Sequence, residues 1–258
     1  TVLTLEELGI PVASSHHEAA PSQHEIDLRH TDALTMADTV MTYKTVVKEI
    51  AMKHGYFASF MPKPLSNING SGMHTNVSLF KGDENIFYSS SESHHISETA
   101  RQFCAGLLKH AKEITLVTNQ WVNWYKRLVP SYEAPTYITW AEVNRSDLIR
   151  IPSYKEGREL SRRIEYRAPD PACNPYLAFS VILAAGLEGI ENEYKLPTSF
   201  EKNVHAMTST DRMNEGIESL PQNMWEAIQI TENSSLVKNS LGEQVFNSFI
   251  KNKKIEWE

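Results

Sequence analysis

Asn69-Gly70-Ser71-Gly72-Met73-His74 runs directly into Thr75-Asn76-Val77-Ser78-Leu79-Phe80, so a polar loop hands a histidine to the start of an alternating segment. Thr75, Val77 and Leu79 set against Asn76, Ser78 and Phe80 predict a strand with one face toward a core. Gly70 and Gly72 predict close backbone approach to a ligand. His74 is a candidate metal ligand, because a neutral imidazole binds divalent ions at pH 7. Lys81-Gly82-Asp83 then turns the chain. Upstream, Met36, Val40, Tyr43, Val46, Val47 and Ile50 recur at helical spacing over residues 35–53, and Gly55 stops that helix. Residues 57–61 read as a short strand closed by Pro62 and Pro64. A second long helix is expected over 97–117 with Ser97 as its cap, and a third, apolar nearly all round, over 175–194. Weaker helices are expected at 224–231 and 240–250. Helices mixed with hairpin-like strands, without regular strand-helix alternation, give an α+β class in one domain spanning residues 1–258.

Composition narrows the function. The chain has 258 residues, 41% hydrophobic, with a formal charge of −7. That charge argues against a general nucleic-acid binder, which needs a basic face to neutralise phosphates. Any anionic ligand must be met by local cations or metal. Two cysteines, Cys104 and Cys173, are too few for a disulfide framework and fit a reducing cytoplasm. No apolar run reaches membrane-spanning length.

Two clusters carry chemistry. His16-His17-Glu18 and Gln23-His24-Glu25 flank a Pro21-Ser22 turn that brings two acids toward one ion. Carboxylate oxygens suit hard cations such as Mg²⁺, and the four histidines keep zinc as a rival. Arg163-Ile164-Glu165-Tyr166-Arg167 alternates as a strand, placing Arg163, Glu165 and Arg167 on one face. With Arg127, Arg145 and Arg150 nearby in sequence, the pattern predicts an anion site. No GxxxxGK[ST] loop is present, so any use of ATP proceeds without a Walker site. His94-His95 reads as a solvated turn, and Trp121, Trp124 and Tyr125 as core or interface aromatics.

In order along the chain, these two acid-bearing motifs, Met61-Pro62-Lys63-Pro64, Asn69 to His74, Lys126-Arg127-Leu128-Val129-Pro130-Ser131-Tyr132-Glu133-Ala134-Pro135, Asn144-Arg145-Ser146 and Arg163 to Pro171 resemble the signatures of glutamine synthetase. The resemblance runs from about residue 5 to the end. It implies a mainly antiparallel, curved sheet backed by helices, and ATP-dependent joining of ammonia to glutamate through a γ-glutamyl phosphate with two Mg²⁺ or Mn²⁺ ions. By position, Glu18 and Glu25 correspond to ligands of one ion, His74 and Glu165 to ligands of the other. Asn69 and Gly70 correspond to glutamate contacts, Arg127 to the partner of its α-carboxylate, and Arg145 and Arg167 to groups on the reacting carboxylate and phosphoryl. Ser78, Arg150 and Arg163 fall at nucleotide positions, and Glu133 on a flap over the acyl phosphate. Self-association as stacked hexameric rings is implied for the full-length protein.

The family also has an N-terminal β-grasp domain and a C-terminal segment that these residues do not include. The 258 residues are therefore expected to be a fragment, inactive or weakly active alone. Ala13 stands where a nucleotide-proximal glutamate is common, and His205 where some bacterial members carry an adenylylated tyrosine, so control by that modification is not expected. Two other readings fit the same residues: a γ-glutamyl ligase acting on a polyamine or other amine, and a noncatalytic homologue. An acidic lid at Glu133 favours ammonia over a larger amine. Retained metal-type acids and arginines weigh against a noncatalytic scaffold, since buried charges without ligands are costly.

Overall fold

The computed structural model describes residues 1–127, 134–142, 144 and 147–258. The chain opens with α1 (Val2–Glu7) and an antiparallel hairpin, β1 (Val12–His17) with β2 (His24–Leu28). α2 (Ala33–Lys53) begins where Asp32 accepts the Thr35 N–H at 3.0 Å, a side-chain cap on an otherwise unpaired helix donor. β3 (Thr75–Val77) is followed by a tight hairpin, β4 (Phe80–Lys81) with β5 (Glu84–Asn85). Next come α3 (Glu98–Lys109), α4 (Ala111–Thr118) and the single turn α5 (Val122–Tyr125). β6 (Trp140–Ala141), β7 (Ile149–Arg150) and β8 (Ile164–Tyr166) complete the strands. The remainder is helical: α6 (Pro175–Glu191), α7 (Ser209–Asn214), α8 (Met224–Glu232), α9 (Ser235–Leu241) and α10 (Glu243–Trp257).

The four-stranded sheet has the order β3-β8-β7-β6, antiparallel except for the β6/β7 pair. The fold is α+β. Because side chains alternate along a strand, Ile164 and Tyr166 of β8 enter the core while Glu165 turns to the other side. Both core residues are fully buried in a cluster shared with Phe103 and Leu107 of α3, Ile114 of α4 and Val181 of α6. Each such large apolar side chain contributes about 1.5–3 kcal/mol by leaving water. The sheet is thereby pinned from behind, and its other face is left to polar residues.

Three sequence expectations change. Residues 57–61 form no strand, and Phe57 is 93% exposed. Pro62 and Pro64 have no N–H to complete a ladder there. The helix expected at 97–117 is two helices, parted at His110, whose Nδ1 lies 2.9 Å from Glu113 Oε1 and whose Nε2 lies 3.6 Å from Glu188 Oε1. The helix expected at 240–250 is likewise split, at Gly242 with φ 74°. The cap at Ser97 holds, accepting the Ala100 N–H at 3.2 Å, and Asn174 caps α6, accepting the Tyr176 N–H at 3.0 Å. Trp124 is fully buried while Trp121 is 43% exposed, and Cys104 is a buried free thiol.

α3 and α6 cross backbone to backbone. A Cβ on Gly106 would stand 2.2 Å from the Ala185 carbonyl oxygen and 2.9 Å from Gly189 Cα. Neither atom belongs to a side chain that can swing aside. Gly106→Ala is expected to lower the stability of the protein by roughly 1–3 kcal/mol or more, measured as a shift of the urea midpoint, because the helices must part.

Candidate active site

The sheet register builds a polar row. Asn76 of β3 lies opposite Glu165 of β8, which in turn lies opposite Arg150 of β7. Glu165 is buried, and its two oxygens face different neighbours. Oε2 meets Arg150 Nε at 2.5 Å and Arg167 Nη1 at 3.4 Å. Oε1 lies 3.6 Å from His74 Nδ1. Arg163 joins the same face, donating from Nε to Asn76 Oδ1 at 2.9 Å. Burial, reinforced by Arg167, Arg127 and Arg150, pushes the His74 imidazole well below its ordinary value. It is therefore neutral at pH 7, the form that binds a metal. His74 and Glu165 Oε1 fit a divalent ion, while the arginines occupy the carboxylate's other oxygen.

The glycine loop has a more specific reason than close approach to ligand. A Cβ on Gly72 would meet Arg127 Nη2 at 2.7 Å, and one on Gly70 would meet the Pro62 carbonyl oxygen at 2.2 Å and Arg127 Cγ at 3.2 Å. The loop lies against the arginine. Ser71 N–H donates to the Pro62 carbonyl at 2.8 Å and Met73 N–H to the Pro169 carbonyl at 2.8 Å, fixing the path into β3. Arg127 is 4% exposed, and its buried Nη1 has no hydrogen-bond partner among the described residues. Burial and then Arg167 push it down to about 10, with Asp170 opposing. It stays charged at pH 7. A buried cation with a donor free among the described residues, beside a second guanidinium, has the chemistry to seat an anion.

The β1/β2 hairpin makes the second metal-type cluster. His16 pairs across the strands with Glu25, and Glu18 lies two residues on from His16, so the three point to one side. Their ligand atoms lie within 4.8 Å of one another, with His16 Nε2 3.4 Å from Glu18 Oε1 and 3.7 Å from Glu25 Oε2. Burial, then Glu18, raises Glu25 to about 7, whereas the Ala19 N–H, donating at 2.8 Å, holds Glu18 low. Two carboxylates that repel each other in this way attract a cation. Two carboxylates and one imidazole suit Mg²⁺ or Mn²⁺. Gln23 ties this hairpin to the glycine loop, donating from Nε2 to the Gly70 carbonyl at 3.0 Å.

Sequence reasoning singled out Glu18, Glu25, His74, Glu165, Arg127 and Arg167, and the fold brings them together in these clusters. His16 was not singled out as the third member of the first, although cross-strand pairing with Glu25 was available from a hairpin register. Ser78 follows directly on β3, and Asn69 precedes the Arg127-facing glycine. Glu133 and Arg145 lie outside the described residues.

The glutamine synthetase catalytic-domain family matches the chain over residues 1–258. A curated glutamine synthetase from Mycolicibacterium smegmatis is 53% identical over 254 residues, and one from Staphylococcus aureus is 51% identical over 257. These alignments cover 98% and 100% of the chain and 57% of each relative, so the chain spans just over half their length. Among solved structures, a GmaS/ADP complex superposes with a TM-score of 0.88 at 34% identity, covering 98% of this chain and 57% of that one. A Plasmodium falciparum glutamine synthetase seen by electron cryomicroscopy superposes with a TM-score of 0.87 at 28% identity, covering 99% and 57%.

Glu25 sets a pH dependence. Its folded value of about 7 exceeds the ordinary 4.5, so its stabilising proton is fully bound below the ordinary value and lost as pH rises through about 7. A divalent ion competes with that proton. Mn²⁺ binding to the intact protein is expected to tighten as pH rises toward 7, by up to about tenfold per pH unit, and to level off above it, with proton release visible by calorimetry in buffers of different ionisation heat. Glu25→Gln is expected to remove most of that dependence.

Proposed function

The chain belongs to the glutamine synthetase catalytic-domain family, and on that premise we propose that it houses the ATP-dependent ligation of ammonia to the side-chain carboxylate of glutamate. One observation carries the reading. Two histidine-carboxylate sets for divalent cations flank buried arginines, and Arg127 has a buried donor with no partner among the described residues. That is the equipment for binding a dicarboxylate and a polyphosphate together, and it supports phosphoryl transfer to a carboxylate.

Residues 1–258 act as a single catalytic domain in this proposal. Arg127 holds the α-carboxylate of glutamate, with Asn69 and Gly70 contacting the same substrate. Ser78, Arg150 and Arg163 take ATP. A glutamate side-chain oxygen attacks the γ-phosphorus, the bond to the ADP oxygen breaks, and Arg167 and Arg145 offset charge on the equatorial oxygens. Ammonia then attacks the acyl carbon, phosphate leaves, and the nitrogen loses a proton. Glu133, on a flap, shields the γ-glutamyl phosphate from water and helps form the ammonium pocket. Glu18 and Glu25, with His16, would hold one Mg²⁺ or Mn²⁺, and His74 and Glu165 the other; such ions supply Lewis-acid polarisation of phosphoryl oxygens.

The 258 residues by themselves are inactive or weakly active in this reading, because the family places further ligands in segments outside them. Self-association into stacked hexameric rings is part of the proposal, and the exposed Tyr56 and Phe57, 75% and 93% accessible, support a surface made to be covered. A cytoplasmic location is consistent with two buried free thiols. Among the described residues no helix is long and apolar enough to cross a membrane.

In the intact protein, ADP release is expected to require glutamate, ammonia and a divalent ion together, with glutamine as product. Arg167→Ala is expected to lower kcat about 100-fold or more. ADP release driven by methylamine or putrescine and not by ammonia would overturn the choice of acceptor. Loss of Mn²⁺ binding in a His74→Ala, Glu165→Ala double variant, read by calorimetry, tests the second metal set without relying on turnover.

A further inference from the structure

Lys63 stands between Pro62 and Pro64, so its N–H is the one backbone donor of that stretch. Asn123 takes it. The Asn123 Oδ1 accepts the Lys63 N–H at 2.7 Å, and the Asn123 Nδ2 donates to the Lys63 carbonyl at 3.0 Å. Both polar groups of one side chain thereby meet both backbone groups of one residue, as a neighbouring strand would. Turning the amide over would set donor against donor and acceptor against acceptor, so the pair has a single orientation. No step of the ligation above uses Asn123.

The clamp joins two parts of the site. Asn123 belongs to α5, a single turn that Trp124 fastens into the core with its side chain fully buried. The same turn sets Arg127, whose N–H donates to the Trp124 carbonyl at 2.8 Å. On the other side, Lys63 opens the loop that carries Asn69 and Gly70. The Lys63 ammonium donates to the Ile68 carbonyl, and the Pro62 carbonyl accepts the Ser71 N–H at 2.8 Å, so the loop is closed on itself. Residues 62–71 contain no helix or strand, and a few fixed points decide where such a loop lies. Its clearance is small: a Cβ on Gly70 would already stand 3.2 Å from Arg127 Cγ.

We propose that Asn123 is a positioning residue for the amino-acid substrate: by holding Lys63 to α5 it fixes the spacing between the Asn69–Gly70 segment and the Arg127 guanidinium, the two sides of the seat for glutamate. The inference rests on the proposed function for the identity of that substrate. Released from Asn123, the loop moves as a unit away from Arg127 and the seat widens. The groups that handle nucleotide and phosphoryl stand elsewhere, on β7, β8 and their continuations, and the Met73 N–H on the Pro169 carbonyl at 2.8 Å separately fixes the entry to β3 and His74. Loss of the clamp therefore weakens glutamate and spares the chemical step once glutamate is bound.

The test is steady-state kinetics of glutamine formation by the intact protein, wild type against Asn123→Ala and Asn123→Asp. Alanine removes both hydrogen bonds, whereas aspartate keeps the shape and the acceptor and sets an oxygen against the Lys63 carbonyl. Each variant is expected to raise the KM for glutamate about tenfold or more while kcat and the KM for ATP stay within about twofold. Should the alanine variant fail to fold, the nearly isosteric aspartate variant decides. A glutamate KM within about twofold of wild type in a folded variant overturns the inference, as does a joint change of glutamate KM, ATP KM and kcat, the mark of general damage. Glutamate binding is followed in parallel by calorimetry with Mn²⁺ and a non-hydrolysable ATP analogue. Wild-type binding that weakens about tenfold in the variants, without glutamine formation, sustains the inference and removes the ligase reading. Glutamine formation with unaltered glutamate affinity does the reverse.

Discussion

The ion cluster on Glu165 organises the site. Its carboxylate is nearly out of water, so the charge is tolerable only because Arg150 and Arg167 stand on one oxygen while the other is turned to His74. That division follows from β8 being the second strand of a four-stranded sheet, with a neighbour on each side. Asn76 is delivered from one side and Arg150 from the other, at the same level as Glu165. A register slip of one residue would send Glu165 into the apolar core and Ile164 or Tyr166 into the ligand site.

Packing behind the sheet makes that register rigid. α3 and α6 meet with glycine against backbone, closer than any side chain would permit, and they carry much of the core on which Ile164 and Tyr166 rest. Buried side chains packed at this density leave the strand no room to slide. The same logic recurs at the glycine loop, where the missing Cβ atoms of Gly70 and Gly72 admit Arg127. Conformational freedom in the loop is less important than the space it leaves for a guanidinium.

The electrostatics of the two metal-type sets differ, which suits two different tasks. His74 is driven neutral by surrounding arginines and burial, whereas Glu18 and Glu25 repel each other on an open hairpin. In the first set His74 is held neutral near pH 7. The second is poised to exchange a proton for an ion. Arg127 and Arg167, close enough to lower the charged form of Arg127, create a local positive field in a chain whose formal charge is −7. Net charge therefore excluded a broad anion-binding surface and left a focused one in place.

The amino-acid sequence by itself determined the residue types of the site, the α+β class, the long helices with the Ser97 cap, and the strand alternation that puts Glu165 opposite the core. These are local properties, written in periodicities of two and 3.6 and in short-range capping. The failed strand at 57–61 and the helix break at His110 show the limit: whether a segment finds a ladder partner, or a histidine finds two distant carboxylates, is decided by neighbours far away in sequence. Only tertiary structure set Arg127 against Gly72 and divided the Glu165 oxygens between arginine and histidine.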